Sequence, residues 1–185
     1  MKRSSVLEYF KTSFILLCIC ALSAALLGFV NYVTSPIIVK AEQECTEALI
    51  KSIFPQYDSF VELTYDDPDV TSVKVISDAS GETAGYIVET AISGFKNVIN
   101  IMVGLDESAV VRSVKIISHS ETPGLGSKIT GEKYLNSYVG KTGVISFNSG
   151  IDSLSGATVS SSSVLDGVNL SIKACEEIIK GGRYE

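Results

Sequence analysis

Hydrophobic and polar positions change rhythm twice along this chain. No charge falls between Lys11 and Lys40, and the core of that gap, Phe14 to Val33, is almost wholly apolar. A helix of this length crosses a hydrocarbon layer of about 30 Å. Next, Ile37, Ala41, Cys45, Ala48 and Ser52 recur at spacings of three or four, with Ile38, Leu49 and Ile53 beside them. Glu42, Glu44 and Glu47 take the other faces. That period predicts an amphipathic helix, opened by Ser35 as N-cap with Pro36 at the first helical position and ending near Phe54-Pro55.

After the turn-rich break Tyr65 to Asp69 the period becomes two. Strands are predicted at Val73 to Ser77, Tyr86 to Ile92, Val98 to Gly104 and Val110 to Ile117. Turns are predicted at Asp78 to Glu82, at Ser93-Gly94 and at Asp106 to Ser108. Short connections make the last three strands an antiparallel meander. A final helix carries one apolar stripe of Val164, Val168, Ile172, Cys175 and Ile179, with Leu165 alongside. Lys173, Glu176, Glu177 and Lys180 take its opposite side, and Gly181-Gly182 stops it as a left-handed C-cap.

The first apolar run has the length of an anchor rather than of a cleaved signal, whose apolar region spans about 7–15 residues before a small-residue cleavage site. The small residues Ala21 to Ala25 come too early for such a site. Leu17 and Ile19, not small residues, precede Cys18 and Cys20, which argues against a lipoprotein signal. Lys2, Arg3 and Lys11 precede the run whereas only Lys40 follows closely, so the N-terminus is expected in the cytoplasm. Tyr9 and Tyr32 suit the two interfaces. The expected organisation is a cytoplasmic N-terminus at 1–12, a transmembrane helix at 13–34, a connecting amphipathic helix at 35–55 and an extracytoplasmic domain at 56–185. Such a protein is single-pass in the cell membrane, with lipid as its first partner.

A formal net charge of −6 and a pI near 4.9 argue against a nucleic-acid partner, which needs clustered Lys and Arg. None of the 4 cysteines has the paired spacing of a zinc site or a redox motif. A Cys45–Cys175 disulfide would need the two to meet; small buried hydrophobes is the plainer role for all of them. No metal site is expected: the acidic Asp66, Asp67 and Asp69 belong to a solvated loop.

Candidate chemistry lies in two loops. The first is Asp152-Ser-Leu-Ser155-Gly156-Ala157-Thr158, followed by Val159 and Ser160 to Ser163. Small residues let backbone approach a ligand closely, and a helix N-terminus presents unpaired N–H groups that suit a phosphate. The plain alternative is that Ser160 to Ser163 cap the helix and Gly156 closes a turn. The second is His119-Ser-Glu121-Thr122-Pro123-Gly124-Leu125-Gly126, whose Pro123-Gly124 fits the centre of a type II turn. His119 is the chain's single histidine, and with Glu121 it suggests acid–base work, against the plainer role of a structural hydrogen-bonder. A hydrolase using Ser155 or Ser160 with His119 is the weakest reading, for no G-x-S-x-G elbow surrounds a serine.

The run Asp152 to Thr158 resembles the flavinylation motif of the FMN-binding domain family. The loop His119 to Gly126 resembles that family's second signature, in the expected order, and Ser93 to Asp106 matches more loosely. Members include the G subunit of the Rnf electron-transport complex and the C subunit of the sodium-translocating NADH:quinone reductase. The family fold is α+β, an antiparallel sheet packed by helices, and the pattern above is compatible with it.

The resemblance implies covalent FMN, joined through its phosphate to the Thr158 hydroxyl. It makes Asp152 part of the signature read by a separate flavin transferase, and brings the loop from His119 through Glu121 to Gly126 close to the flavin. It implies an electron relay among the membrane and peripheral subunits of an ion-translocating ferredoxin:NAD⁺ oxidoreductase, with no catalytic residue of its own. The short chain favours the Rnf protein over the larger reductase one. Tyr134, Tyr138 and Phe147 are expected either to cover the flavin or to pack in the core. The rival reading is an anchored module holding FMN or another phosphate ligand non-covalently, or none.

Overall fold

The computed structural model describes residues 3–55 and 57–181, and within the first helix the side chains of residues 9, 11, 13–35 and 47–53. The chain divides into two compact units, Met1–Ala48 and Leu49–Glu185. Helix α1 spans Arg3–Ile53. Its stretch Ser13–Ser35 has a mean hydropathy of 2.6 and no buried residue, so it is long and apolar enough to cross a membrane. Leu27 and Phe29 are 73% and 67% exposed, a surface that water would not leave uncovered.

The N-cap expected at Ser35 is not formed: the helix runs through Ser35-Pro36 without a break. A proline removes one i→i−4 bond, and the turns on either side are long enough to continue past it. The side chains of Ile37, Ala41 and Cys45 lie outside the described residues, and with them the Cys45–Cys175 pairing. Cys175 itself is fully buried, and burial first of all pushes its thiol up to about 12.

The second unit is built on one five-stranded antiparallel sheet in sequence order: β1 (Tyr57–Leu63), β2 (Val70–Asp78), β3 (Thr83–Ser93), β4 (Val98–Leu105) and β5 (Val111–Ser118). The expected meander is present and longer at its start. Strand β1 has no counterpart in the predicted pattern. It is an edge strand, and its residues 58–62 are all exposed, so burial imposes no alternation on it.

Each face of the sheet has its own cover. On one, Val73, Val88, Ile101, Val103 and Val114 pack under helix α3 (Thr158–Ile179). Gly167 lets that helix come close, since a Cβ there would stand 2.6 Å from Ile101 Cδ1. On the other, Ile76, Ile87 and Met102 are covered by Ile50 and Phe54. Helix α3 keeps the predicted stripe except at its end, where Ile178 is buried and Ile179 is 43% exposed. Gly181, at φ +78°, follows the last turn as expected.

Between β5 and α3 come a 3₁₀ turn at Gly126–Thr130 and helix α2 (Glu132–Asn136). Tyr134 and Tyr138 stand edge to face at 5.5 Å with their hydroxyls 2.7 Å apart, both buried, and Phe147 packs against the same core. These aromatics take the core role of the two expected for them.

Candidate functional site

Three segments distant in sequence meet at one end of the sheet. They are the β3–β4 turn, the loop after β5 and the run into α3. Between them lies a cavity of about 290 Å³ lined by Phe95, Glu121, Thr122, Leu125, Gly126, Gly156, Ala157, Thr158, Val159 and Ser160. Ligand cavities are typically about 300–1,000 Å³, so this one suits part of a flavin-sized molecule, the rest lying in the open.

The run into α3 is shaped by a tight turn. The Ala157 N–H donates to the Leu154 carbonyl at 2.9 Å, and Gly156 takes φ +79°, which costs a side-chain-bearing residue but not glycine. Ala157 then stands at the N-cap with φ −138° and ψ 34° and offers no side-chain cap. The first helical bond runs from Ser161 N–H to Ala157 O at 2.8 Å. The N–H groups of Thr158, Val159 and Ser160 therefore precede the helical ladder and present the partial positive end of α3.

Thr158 is exposed at the start of the helix. The plain alternative for the serines does not hold. Ser160 donates to Glu121, Ser161 to the carbonyls of Ala157 and Thr158, and Ser163 to those of Ser93 and Val159. Each lies inside the helix and none caps it.

The loop after β5 forms the expected turn. Leu125 N–H donates to Thr122 O at 3.2 Å, with Gly124 at φ +77°. His119 Nδ1 accepts the Glu121 backbone N–H at 3.2 Å, which is a structural task. The Glu121 carboxylate turns away from the imidazole and accepts the Ser160 hydroxyl at 2.7 Å and the Lys96 backbone N–H at 3.1 Å. Burial pushes this carboxyl up, but the Ser160 hydroxyl and the N–H groups of Lys96, Phe95 and Asn97 outweigh it and hold it below the usual range. The acid–base pairing of His119 with Glu121 is thus not assembled. Neither is a Ser160–His119 hydrolytic pair, because Ser160 bonds Glu121 instead.

The two loops come together at this cavity. Glu121, Thr122, Leu125, Gly126, Gly156, Ala157, Thr158 and Ser160 all line the cavity, whereas Asp152, Ser155, His119, Pro123 and Gly124 do not. Pro123 and Gly124 make the turn, and Ser155 accepts the Lys128 ammonium on its carbonyl at 3.2 Å. Asp152 is exposed beyond the rim. Phe95 and Val159 join the lining from outside the expected set. Phe95 has a signal in the Gly-aromatic pair after Ser93, and Val159 follows from its place next to Thr158. Among the described residues no group of His, Cys, Asp and Glu is placed to hold a metal ion.

The arrangement fits FMN: an uncapped helix start for the phosphate and an apolar wall of Phe95, Leu125 and Val159 for a ring. Relatives agree. The chain is 27% identical to the G subunit of the Na⁺-translocating ferredoxin:NAD⁺ oxidoreductase complex of Acetobacterium woodii, over 92% of this chain and 93% of that one. It is 29% identical to the G subunit of the ion-translocating oxidoreductase complex of Methanosarcina acetivorans, over 83% and 87%. The crystal structure of Shewanella oneidensis NqrC covers 65% of this chain and 70% of its own at 18% identity and a TM-score of 0.49, a likeness too loose to bear on the assignment. Residues 94–173 match the FMN-binding domain family. Every residue lining the cavity falls within that stretch.

Proposed function

We propose that this chain is a membrane-anchored electron-transfer subunit of an ion-translocating ferredoxin:NAD⁺ oxidoreductase complex of the Rnf type, carrying FMN as a phosphoester on Thr158. One observation carries the covalent part: an exposed threonine hydroxyl at the first position of an uncapped helix, on the rim of the cavity. The helix start stabilises the single negative charge of the phosphodiester, and the close turn at Gly156 lets it approach the backbone. Bound FMN supplies the electron chemistry. The protein's part is to hold it, with Phe95, Leu125 and Val159 excluding water from one side of the site.

The reading extends to the membrane. Ser13–Ser35 anchors the chain, and Lys11 with the N-terminal bases keeps that end in the cytoplasm, so the domain faces outward. A covalent link then prevents loss of a cofactor that cannot be recycled there. The partners are the other proteins of the complex, with a flavin transferase for maturation that reads the exposed Asp152 and its neighbours. The Acetobacterium and Methanosarcina relatives, matched along most of their length, support this place in the complex.

Thr158→Val tests the link. Expressed with the transferase, the wild type should keep its flavin through denaturation and the variant should lose it completely. Flavin retained on the denatured variant would place the attachment elsewhere. Flavin released from the denatured wild type would favour the non-covalent module.

A further inference from the structure

Glu121 is 4% exposed, yet it lines the cavity. Burying a charge is costly unless its oxygens are paired. Here both are, and by different segments: Oε2 by the Ser160 hydroxyl in the first turn of α3, and Oε1 by the Lys96 N–H in the β3–β4 turn. The backbone comes close to both oxygens. A Cβ on Gly126 would stand 2.7 Å from Oε2, and one on Gly94 would collide with Oε1. Two glycines from two loops therefore flank a single carboxylate that bonds both of the other segments of the site.

This bonding has a chemical consequence for the cavity. A serine hydroxyl has one proton to donate, and Ser160 donates it to Glu121. Toward the cavity Ser160 has only lone pairs left, and behind them stands a carboxylate with no proton to give. We infer that Glu121 is the positioning residue of this site: it ties the β3–β4 turn to the first turn of α3 and sets a fixed negative charge, behind a Ser160 hydroxyl with no free proton, beside the bound flavin. This rests on the FMN reading for its ligand, but the tie itself does not. A fixed negative charge next to a redox group opposes the arrival of an electron, so Glu121 lowers the flavin's midpoint potential.

Glu121→Gln keeps the shape and removes the charge. In protein without flavin, amide hydrogen exchange at residues 95–97 should quicken relative to the wild type, while the α3 residues packed on the sheet keep their protection. In flavin-loaded protein the Thr158 adduct should remain and the midpoint potential should move to more positive values. Ser160→Ala separates the two parts: it should quicken exchange in the first turn of α3 but leave the potential near the wild-type value, because the charge stays. It also decides the tie if Glu121→Gln does not fold.

Exchange at 95–97 unchanged in Glu121→Gln, or in the first turn of α3 unchanged in Ser160→Ala, would overturn the tie. A potential unmoved or more negative in Glu121→Gln, or one that moves as far in Ser160→Ala, would overturn the charge effect. If wild-type protein from transferase-containing cells carries no FMN, the flavin reading fails, and the exchange comparison still decides the tie.

Discussion

The two ends of the sheet solve the same local problem in opposite surroundings. At the end away from the site, Asp78 Oδ1 accepts the backbone N–H groups of Ser80 and Glu82 at 2.9 and 3.1 Å, and Asp106 Oδ1 accepts those of Ser108 and Val110 at 2.9 and 3.0 Å. Both carboxylates organise turns at the surface, where water replaces any bond that is lost. At the other end Glu121 does this for the β3–β4 turn from inside the protein, where water cannot. The far end also has the larger cavity, about 430 Å³ against 290 Å³, lined by Asp78, Glu82, Glu107 and Arg112 around Phe54. Size does not mark the site. What marks it is a buried charge fully paired across three segments.

That contrast can be broken in graded steps. Glu121→Ala leaves the Ser160 hydroxyl and the Lys96 N–H unpaired, and should cost about 2–3 kcal/mol in denaturant unfolding. Gly126→Ala pushes a methyl group against Glu121 and Ser160 Oγ, the latter 3.1 Å away, and should cost about 1–3 kcal/mol while quickening amide exchange in the cavity loops.

Acid sharpens the comparison further. Glu121 has its folded pKa below the ordinary 4.5, so its contribution is complete above that value and is lost as pH falls through the folded one. Ser160→Ala removes one of the groups that lower it, so stability measured from roughly pH 7 down to pH 3 should fall less steeply in the variant. Asp78→Ala is the smallest step. Its carboxyl is also held low, first by the Ser80 hydroxyl, but at the surface. The unfolding midpoint should hardly move; a loss as large as that of Glu121→Ala would remove the distinction between the two ends.

The parts legible in the amino-acid sequence are those whose apolar residues line up on a buried face. Strands β2 to β5 face a helix on one side, so Val73, Val88 and Val103 recur in step. Strand β1 has exposed residues throughout its middle and carries no such signal. The continuity of α1 through Pro36 is hidden because a Ser-Pro pair has the same local preferences at a helix start as at a point the helix merely passes. The motif Asp152 to Thr158 is recognisable as a contiguous run, and so is Glu121 to Gly126. The role of Glu121 is not. Its partners Lys96 and Ser160 lie 25 and 39 positions away, and only the packing of the β3–β4 turn against α3 brings them within reach.

The most direct test of the covalent flavin is the intact mass of the denatured wild-type chain purified from its native membrane, followed by peptide mapping. The expected result is an added mass of FMN less one water, located on the peptide that contains Thr158. An unmodified Thr158 peptide from transferase-containing cells would contradict it.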